Sequence, residues 1–407
     1  MNKTFFVNFF SLNVSSFLNR VLNFLLFIFL IRYLTTAEYG IYNLVWAHIS
    51  LLSPFVDFGT TTYGLVHLAE EKKRELSTLL SLRLSLALIM VVLTILLAII
   101  FQYSVSIILF IVLTSVVIIS NMWSGSYLLI TSVKQKSYLA SIVSIVFNSF
   151  YIAFLIFQLF FFKSLSFIFY YISVFYLVYA VLNYFLVKYE VGQFNLIFDI
   201  EAWKSIVKKS YMFVLISFFA GLYFKLDVIL LKMLRTPAEV GIYSAGYKFL
   251  DAFMFIAASY SFVGTPLLSK RYSSGTQNFQ KKVWKDVIFL SGIGLGAAIA
   301  TYFLAPFVLR YILHGDFTYS LSVLRVVTWA LPFILAATVF LNALYIMKKT
   351  QWVVGLFMFQ TLFNLSMNMV FIPRYSYMGS AYITVFGEVL NTVITLVMVK
   401  KIIENKS

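Results

Sequence analysis

The chain has 407 residues, of which 62% are hydrophobic and 11% charged, with a net charge of +16 and no cysteine. Soluble domains are roughly half apolar and about a quarter charged, so this composition excludes a water-soluble body, and no polar stretch is long enough to form a separate aqueous domain. The missing cysteines exclude disulfides, thiolate catalysis and cysteine-ligated metals, and His48, His67 and His314 lie too far apart for metal-ligand spacing.

A helix that crosses a bilayer needs about 20 apolar residues. In chain order such stretches fall near 12–33, 41–66, 78–101, 105–130, 138–160 and 166–187. After a break they resume near 211–233, 241–266, 286–309, 319–346, 352–372 and 378–399. No small-residue cleavage site follows the first stretch, so it is expected to be an uncleaved span rather than a signal peptide. The longest connector, Lys188–Ser210, is polar and partly amphipathic. It predicts an N-terminal six-helix bundle over 1–188, a cytoplasmic linker over 189–210 and a C-terminal six-helix bundle over 211–407. The expected fold is an all-α polytopic membrane protein of about twelve transmembrane helices.

Loop charge sets the orientation, because cytoplasmic loops collect Lys and Arg. One set of connectors holds Lys72, Lys73 and Arg74, Lys134 and Lys136, Lys204, Lys208 and Lys209, the cluster from Lys270 to Lys285, Lys348 and Lys349, and Lys400 and Lys401. The alternate set holds only Arg32, Lys163, Lys232, Arg235, Arg310 and Arg374. Both termini are therefore expected to be cytoplasmic. The same asymmetry accounts for the net charge without nucleic acid as a partner.

The segments Ala37–Tyr42 (AEYGIY) and Ala238–Tyr243 (AEVGIY) match at five of six letters, half a chain apart. Each follows the first span of its half and opens the second. A repeat at this period, after an even number of spans, predicts two halves in the same orientation with pseudo-two-fold symmetry along the membrane normal. Gly40 and Gly241 suit a turn between spans, where glycine accepts angles that other residues avoid.

Nine charges fall inside the predicted spans: Arg20, Arg83, Lys225, Lys248 and Arg325, with Asp57, Asp227, Asp251 and Glu388. Each costs about 2.5–3.5 kcal/mol at a helix centre on insertion scales, so such residues face a watery cavity or a partner. Arg20 lies roughly 12 Å inside the cytoplasmic face at the helical rise, which makes it a candidate cavity cation or a partner for Asp57. Arg83 is shallow enough to snorkel. Asp227 and Lys248 stand at similar depth on the seventh and eighth spans, and Lys248 and Asp251 share a helix face. Ser380, Ala381 and Gly387 beside Glu388 suit close helix packing. Arginine keeps its proton where a buried carboxyl can become neutral, so the cavity is suited to an anion such as phosphate. The five cations are the candidate substrate contacts, and the four acids are candidates for ion coupling or gating pairs. The residues suggest no catalytic group, metal ligand or cofactor site.

Arg32 to Tyr42, Asp57-Phe-Gly, Asp227 to Leu231, Ala238 to Tyr243 with Tyr247-Lys-Phe, and Ile372-Pro-Arg-Tyr with Gly379-Ser-Ala-Tyr together resemble the Wzx-type polysaccharide flippases of the multidrug/oligosaccharidyl-lipid/polysaccharide exporter superfamily. The resemblance implies alternating access and export of an undecaprenyl-pyrophosphate-linked oligosaccharide repeat unit, as in O-antigen synthesis, across the bacterial inner membrane. A polysaccharide polymerase and a chain-length regulator are the partners it implies. The first span lacks the acid that multidrug antiporters of the superfamily carry there, and twelve spans are fewer than the peptidoglycan-precursor flippases have. Two other readings stay open at this point. One is a cation-coupled small-molecule exporter of the same superfamily. The other is a membrane glycan polymerase or glycosyltransferase, for which His314 and Asp316 are the only chemistry-bearing pair in an outer connector.

Overall fold

A computed structural model describes residues 3–67, 73–192, 194–312 and 315–404. Lys72 and His314 lie outside them, as does the side chain of Asp316. The described residues form helices and no strand. Ten of the helices are long and apolar enough to cross a membrane. This is an all-α, multi-pass membrane protein, as the composition requires.

Two compact units divide the chain. Met1–Leu34 with Leu44–Gly221 form the first, and Thr35–Asn43 with Leu222–Ser407 form the second. Helices α2 (Thr36–Asp57) and α9 (Ile200–Leu234) each run through a boundary. The boundary thus falls at Gly221, inside a helix, and the predicted linker is largely the tail of α8 (Leu165–Val191) and the first turns of α9.

In the first unit α1 (Lys3–Tyr33) packs along α7 (Ser137–Phe162) through side-chain amides. Asn19 donates to Ser144 Oγ at 3.0 Å and accepts from Asn148 at 2.9 Å. Asn8 donates to Gln135 O at 2.6 Å and accepts from Tyr138 N at 3.2 Å. Lipid tails are as apolar as leucine, so such bonds, rather than a hydrophobic drive, hold neighbouring spans together.

The second predicted span is not continuous. α2 stops at Asp57 and α3 (Thr60–His67) begins three residues later. Phe58 and Gly59 both adopt positive φ, at 46° and 69°. A Cβ on Gly59 would press into Ser210 and Phe213 of α9, so the break needs glycine for space as well as for angle. Beyond it run α4 (Lys73–Ile100), α5 (Val105–Thr114) and α6 (Val116–Val133).

The second unit continues with α10 (Pro237–Ser273), α11 (Thr276–Ile312), α12 (Ser320–Val327), α13 (Leu331–Ile346) and α14 (Thr350–Glu404). α14 counts 55 residues, which at about 1.5 Å each would span roughly 80 Å, against a hydrocarbon core of about 30 Å. It is a hairpin: Ser376 sits at φ 55°, ψ −140°, just past Pro373. Gly379 passes so close to Phe371 O that a Cβ would collide with it. Arg235 donates to the freed carbonyls of Ile372 and Pro373, at 3.1 Å and 2.5 Å from Nη2.

The repeated motif starts helices; it does not make the turns expected of its glycines. Thr35 and Glu38 bond reciprocally at the head of α2, as do Thr236 and Glu239 at the head of α10. Each pair is a capping box that satisfies orphan N–H groups of a first helical turn. Gly40 and Gly241 are helical and have ordinary φ. Their role is contact. A Cβ on Gly40 would strike Pro237 O, and one on Gly241 would strike Thr36 O, so the two motifs cross backbone to backbone. Alanine at Gly40 is therefore expected to destabilise the fold by about 1–3 kcal/mol, the usual range for overpacking, whereas Gly125→Ala meets open space and is expected to be neutral. Thermal unfolding of the two purified variants, followed by size-exclusion, measures the contrast.

Candidate functional site

Two of the nine intramembrane charges meet at the break between α2 and α3. Arg83, on α4, is 1% exposed and donates to Asp57 at 2.6 Å, Thr61 Oγ1 at 2.6 Å, Thr60 Oγ1 at 2.7 Å and Ser126 Oγ at 3.1 Å. Asp57, whose side chain is 44% exposed, also accepts from the Thr61 N–H at 3.2 Å and so caps α3. Asp57 thus pairs with Arg83 and not with Arg20. A guanidinium this enclosed and this well bonded ties α2, α3 and α6 to its own helix, α4.

Arg20 is in a different environment. Ser16, Arg20 and Asn23 are exposed and Asn13 is half-buried. Their three- and four-residue spacing puts them on one face of α1. Further along the same face Phe27, Leu30, Ile31 and Leu34 are buried. One half of α1 therefore presents a polar, cationic stripe, and the other half is sealed.

The second unit holds a buried acidic cluster. Asp227 on α9 is 4% exposed. It accepts from Tyr243 at 2.6 Å, Asn368 Nδ2 at 2.9 Å and Thr384 Oγ1 at 3.3 Å. Asn368 in turn donates to Asn364 Oδ1 and accepts from Ser380, at 3.0 Å and 2.9 Å. Lys248 lies within electrostatic reach of Asp251 and of Lys225. Glu388, 2% exposed, accepts from Tyr223 at 3.0 Å and Asn391 at 3.1 Å. Tyr247 lies within electrostatic reach of Asp227, Asp251 and Glu388. Both arms of α14 thus feed oxygen and amide groups to a carboxylate on α9. Tyr243, Asn368 and Thr384 each donate to the Asp227 carboxylate, so a proton or a cation arriving on it would have to displace those hydrogen bonds.

Sequence reasoning found the acids and missed most of the ring. Tyr243, Asn368 and Thr384 carry no charge, so a search for costly residues passes over them. Their signal was spacing: Asn364 with Asn368, and Ser380 with Thr384, each lie four apart on one helix face.

Arg325 on α12 is half-buried, with its guanidinium 5.2 Å from the centre of the Tyr302 ring. The nine charges thus resolve into one ion-paired clamp, one exposed cationic stripe, one acidic cluster flanked by two lysines, and one arginine stacked on an aromatic ring.

The sequence profile described as polysaccharide biosynthesis protein matches residues 5–272. The chain belongs to that family. No curated protein sequence matches it. Among solved structures it is similar to a lipid II flippase, MurJ, in an inward closed conformation, at 14% identity and a TM-score of 0.77 over 95% of this chain and 87% of that one. It is also similar to an inward-facing multidrug resistance MATE family transporter of the MOP superfamily, at 13% identity and a TM-score of 0.74 over 95% of each chain. A MOP superfamily transporter from Pyrococcus furiosus, with a binding pocket of reversed polarity, matches at 13% identity and 0.66 over 98% of this chain and 95% of that one. The family and the superfamily fold agree with the resemblance carried by the sequence motifs.

Removing one partner of a buried ion pair costs about 3–5 kcal/mol. Asp57 is partly solvated, so Asp57→Ala is expected near the lower end, at about 3 kcal/mol. The double variant Asp57→Ala, Arg83→Met should recover part of that loss, because it leaves no buried charge behind. Denaturation of the purified variants in detergent tests this ordering.

Proposed function

We propose that this chain is a flippase that carries an undecaprenyl-pyrophosphate-linked oligosaccharide repeat unit from the cytoplasmic to the outer leaflet of the bacterial inner membrane. The observation that carries the reading is Arg20, exposed on a polar stripe within an otherwise apolar span, in a member of a polysaccharide biosynthesis family. The pyrophosphate is a dianion or more, and arginine binds phosphate oxygens through two parallel hydrogen bonds. Lys225 and Lys248, within electrostatic reach of each other in the second unit, supply further positive charge. The sugars occupy a watery, cation-lined cavity, and the prenyl tail stays in lipid. Both termini are cytoplasmic, as the loop charges direct, and the flipped unit passes to a polymerase and a chain-length regulator.

Alternating access needs a driving force, and a ligand shifts a two-state equilibrium only through its different affinity for the two states. Asp227 is the coupling group. Its ring draws on α9, α10 and both arms of α14, so loading the carboxylate with a proton or cation changes how these helices bond to one another.

In a deletion strain complemented with Arg20→Ala at normal protein level, surface polysaccharide is expected to fall about ten-fold or more, the equivalent of one charge-assisted hydrogen bond. Lipid-linked repeat units should accumulate in the inner leaflet, and Arg20→Lys should retain part of the activity. Full export by the alanine variant would remove Arg20 from the mechanism. In proteoliposomes, Asp227→Asn is expected to flip substrate at a rate that no longer responds to an imposed proton or sodium gradient. A gradient response equal to that of the unmodified protein would exclude Asp227 as the coupling site.

A further inference from the structure

The second unit contains a groove of about 810 Å³ among α11, α12 and the two arms of α14. Tyr302, Trp329, Met367, Tyr382 and Phe386 form its walls, and Arg325 is its one charged lining residue. Trp329, Tyr382 and Phe386 remain exposed. Arg325 sits six residues into the segment that opens at Tyr319, within two turns of its start.

Arg325 is poorly served where it stands. One face of its guanidinium stacks on Tyr302, and its Nε is buried without a hydrogen-bond partner. No Asp or Glu lines the groove among the described residues. Arg83, by contrast, has a carboxylate and three hydroxyls. Arginine does not escape an apolar site by losing its proton, and an unpaired charge there is costly. The groove therefore lacks an anion, and its aromatic and thioether walls require that anion to be attached to an apolar body.

We propose that the groove is the seat of a bilayer phospholipid carrying a single anionic phosphodiester, of the phosphatidylglycerol class, with its phosphate on Arg325 and its acyl chains along Trp329 and Phe386. Charge selects this occupant. One guanidinium neutralises one phosphodiester, whereas a prenyl diphosphate carries at least two negative charges and would need a second cation that the groove does not have. A zwitterionic headgroup adds an ammonium ion, for which the lining offers the hydroxyls of Ser322, Tyr302 and Tyr382 but no carboxylate. Trp329 lies four residues beyond Arg325, one turn deeper, where the upper acyl chain would pass. The lipid would act as a wedge that fixes the spacing of α11 and the α14 hairpin. This site does not depend on the transport reading.

The test uses the delipidated full-length protein in detergent, titrated with brominated phosphatidylglycerol or brominated phosphatidylethanolamine while tryptophan fluorescence is recorded. The chain has six tryptophans, so the Trp329 signal is taken as the difference between the unmodified protein and Trp329→Phe. The expected result is quenching of Trp329 by the anionic lipid at a concentration about ten-fold lower than by the zwitterionic one. Arg325→Gln should abolish that preference and Arg325→Lys should keep it. Equal quenching by both lipids, an unchanged preference in Arg325→Gln, or no quenching assigned to Trp329 would each overturn the proposal. So would displacement of the brominated lipid by a short-chain prenyl diphosphate at lower concentration than by unlabelled phosphatidylglycerol. Should Arg325→Gln fail to give monodisperse protein, the comparison with Trp329→Phe still decides the matter on an intact Arg325.

Discussion

Hydrocarbon offers no water to a broken helix, so each interruption inside a membrane protein must be met by the protein's own groups. Both main interruptions in this chain show how. Where α2 yields to α3, Asp57 takes the N–H of Thr61, and Arg83 ties that carboxylate to two threonines and to Ser126. Where α14 folds back at Ser376, Arg235 crosses from the end of α9 to cover the carbonyls of Ile372 and Pro373. Glu239 reaches the same corner through Ser376. Asp57 and Arg235 are the charged partners of freed backbone, and Arg83 holds Asp57 in place.

The duplicated motif has a similar economy. Its glutamate closes a capping box, its glycine removes the side chain that would hold two helices apart, and the tyrosine at its end faces inward. In the second copy that tyrosine, Tyr243, donates to Asp227. In the first, Tyr42 stacks near Tyr39 at 6.2 Å between ring centres. The frame is shared, and the acidic ring belongs to the second copy. Because the backbones meet at Gly40 and Gly241, the heads of α2 and α10 lie against each other within the second unit.

Charge is correspondingly divided by task. Arg83 and Arg235 hold structure, Arg20 faces outward from its helix with polar neighbours, and Arg325 lies in an apolar groove with an aromatic ring on one side. Depth along a helix does not separate these cases, because each is set by which neighbouring helix supplies an acceptor.

Much was legible in the sequence because the bilayer imposes it locally. Composition determined a multi-pass membrane protein, hydropathy picked out the apolar stretches from which its long helices are built, and the match of Ala37–Tyr42 with Ala238–Tyr243 pointed to a duplication. These follow from chain-local quantities, span length and repeat period. The partners of the charges do not. Arg83 finds Asp57 across 26 positions, Asp227 finds Asn368 across 141, and Gly40 meets Pro237 after most of half a chain. Hydropathy scores each residue by itself, whereas a hydrogen bond or a backbone crossing depends on two helices arriving at one place. Only the tertiary structure decided which charges are clamps, which face is open and which carboxylate is ringed.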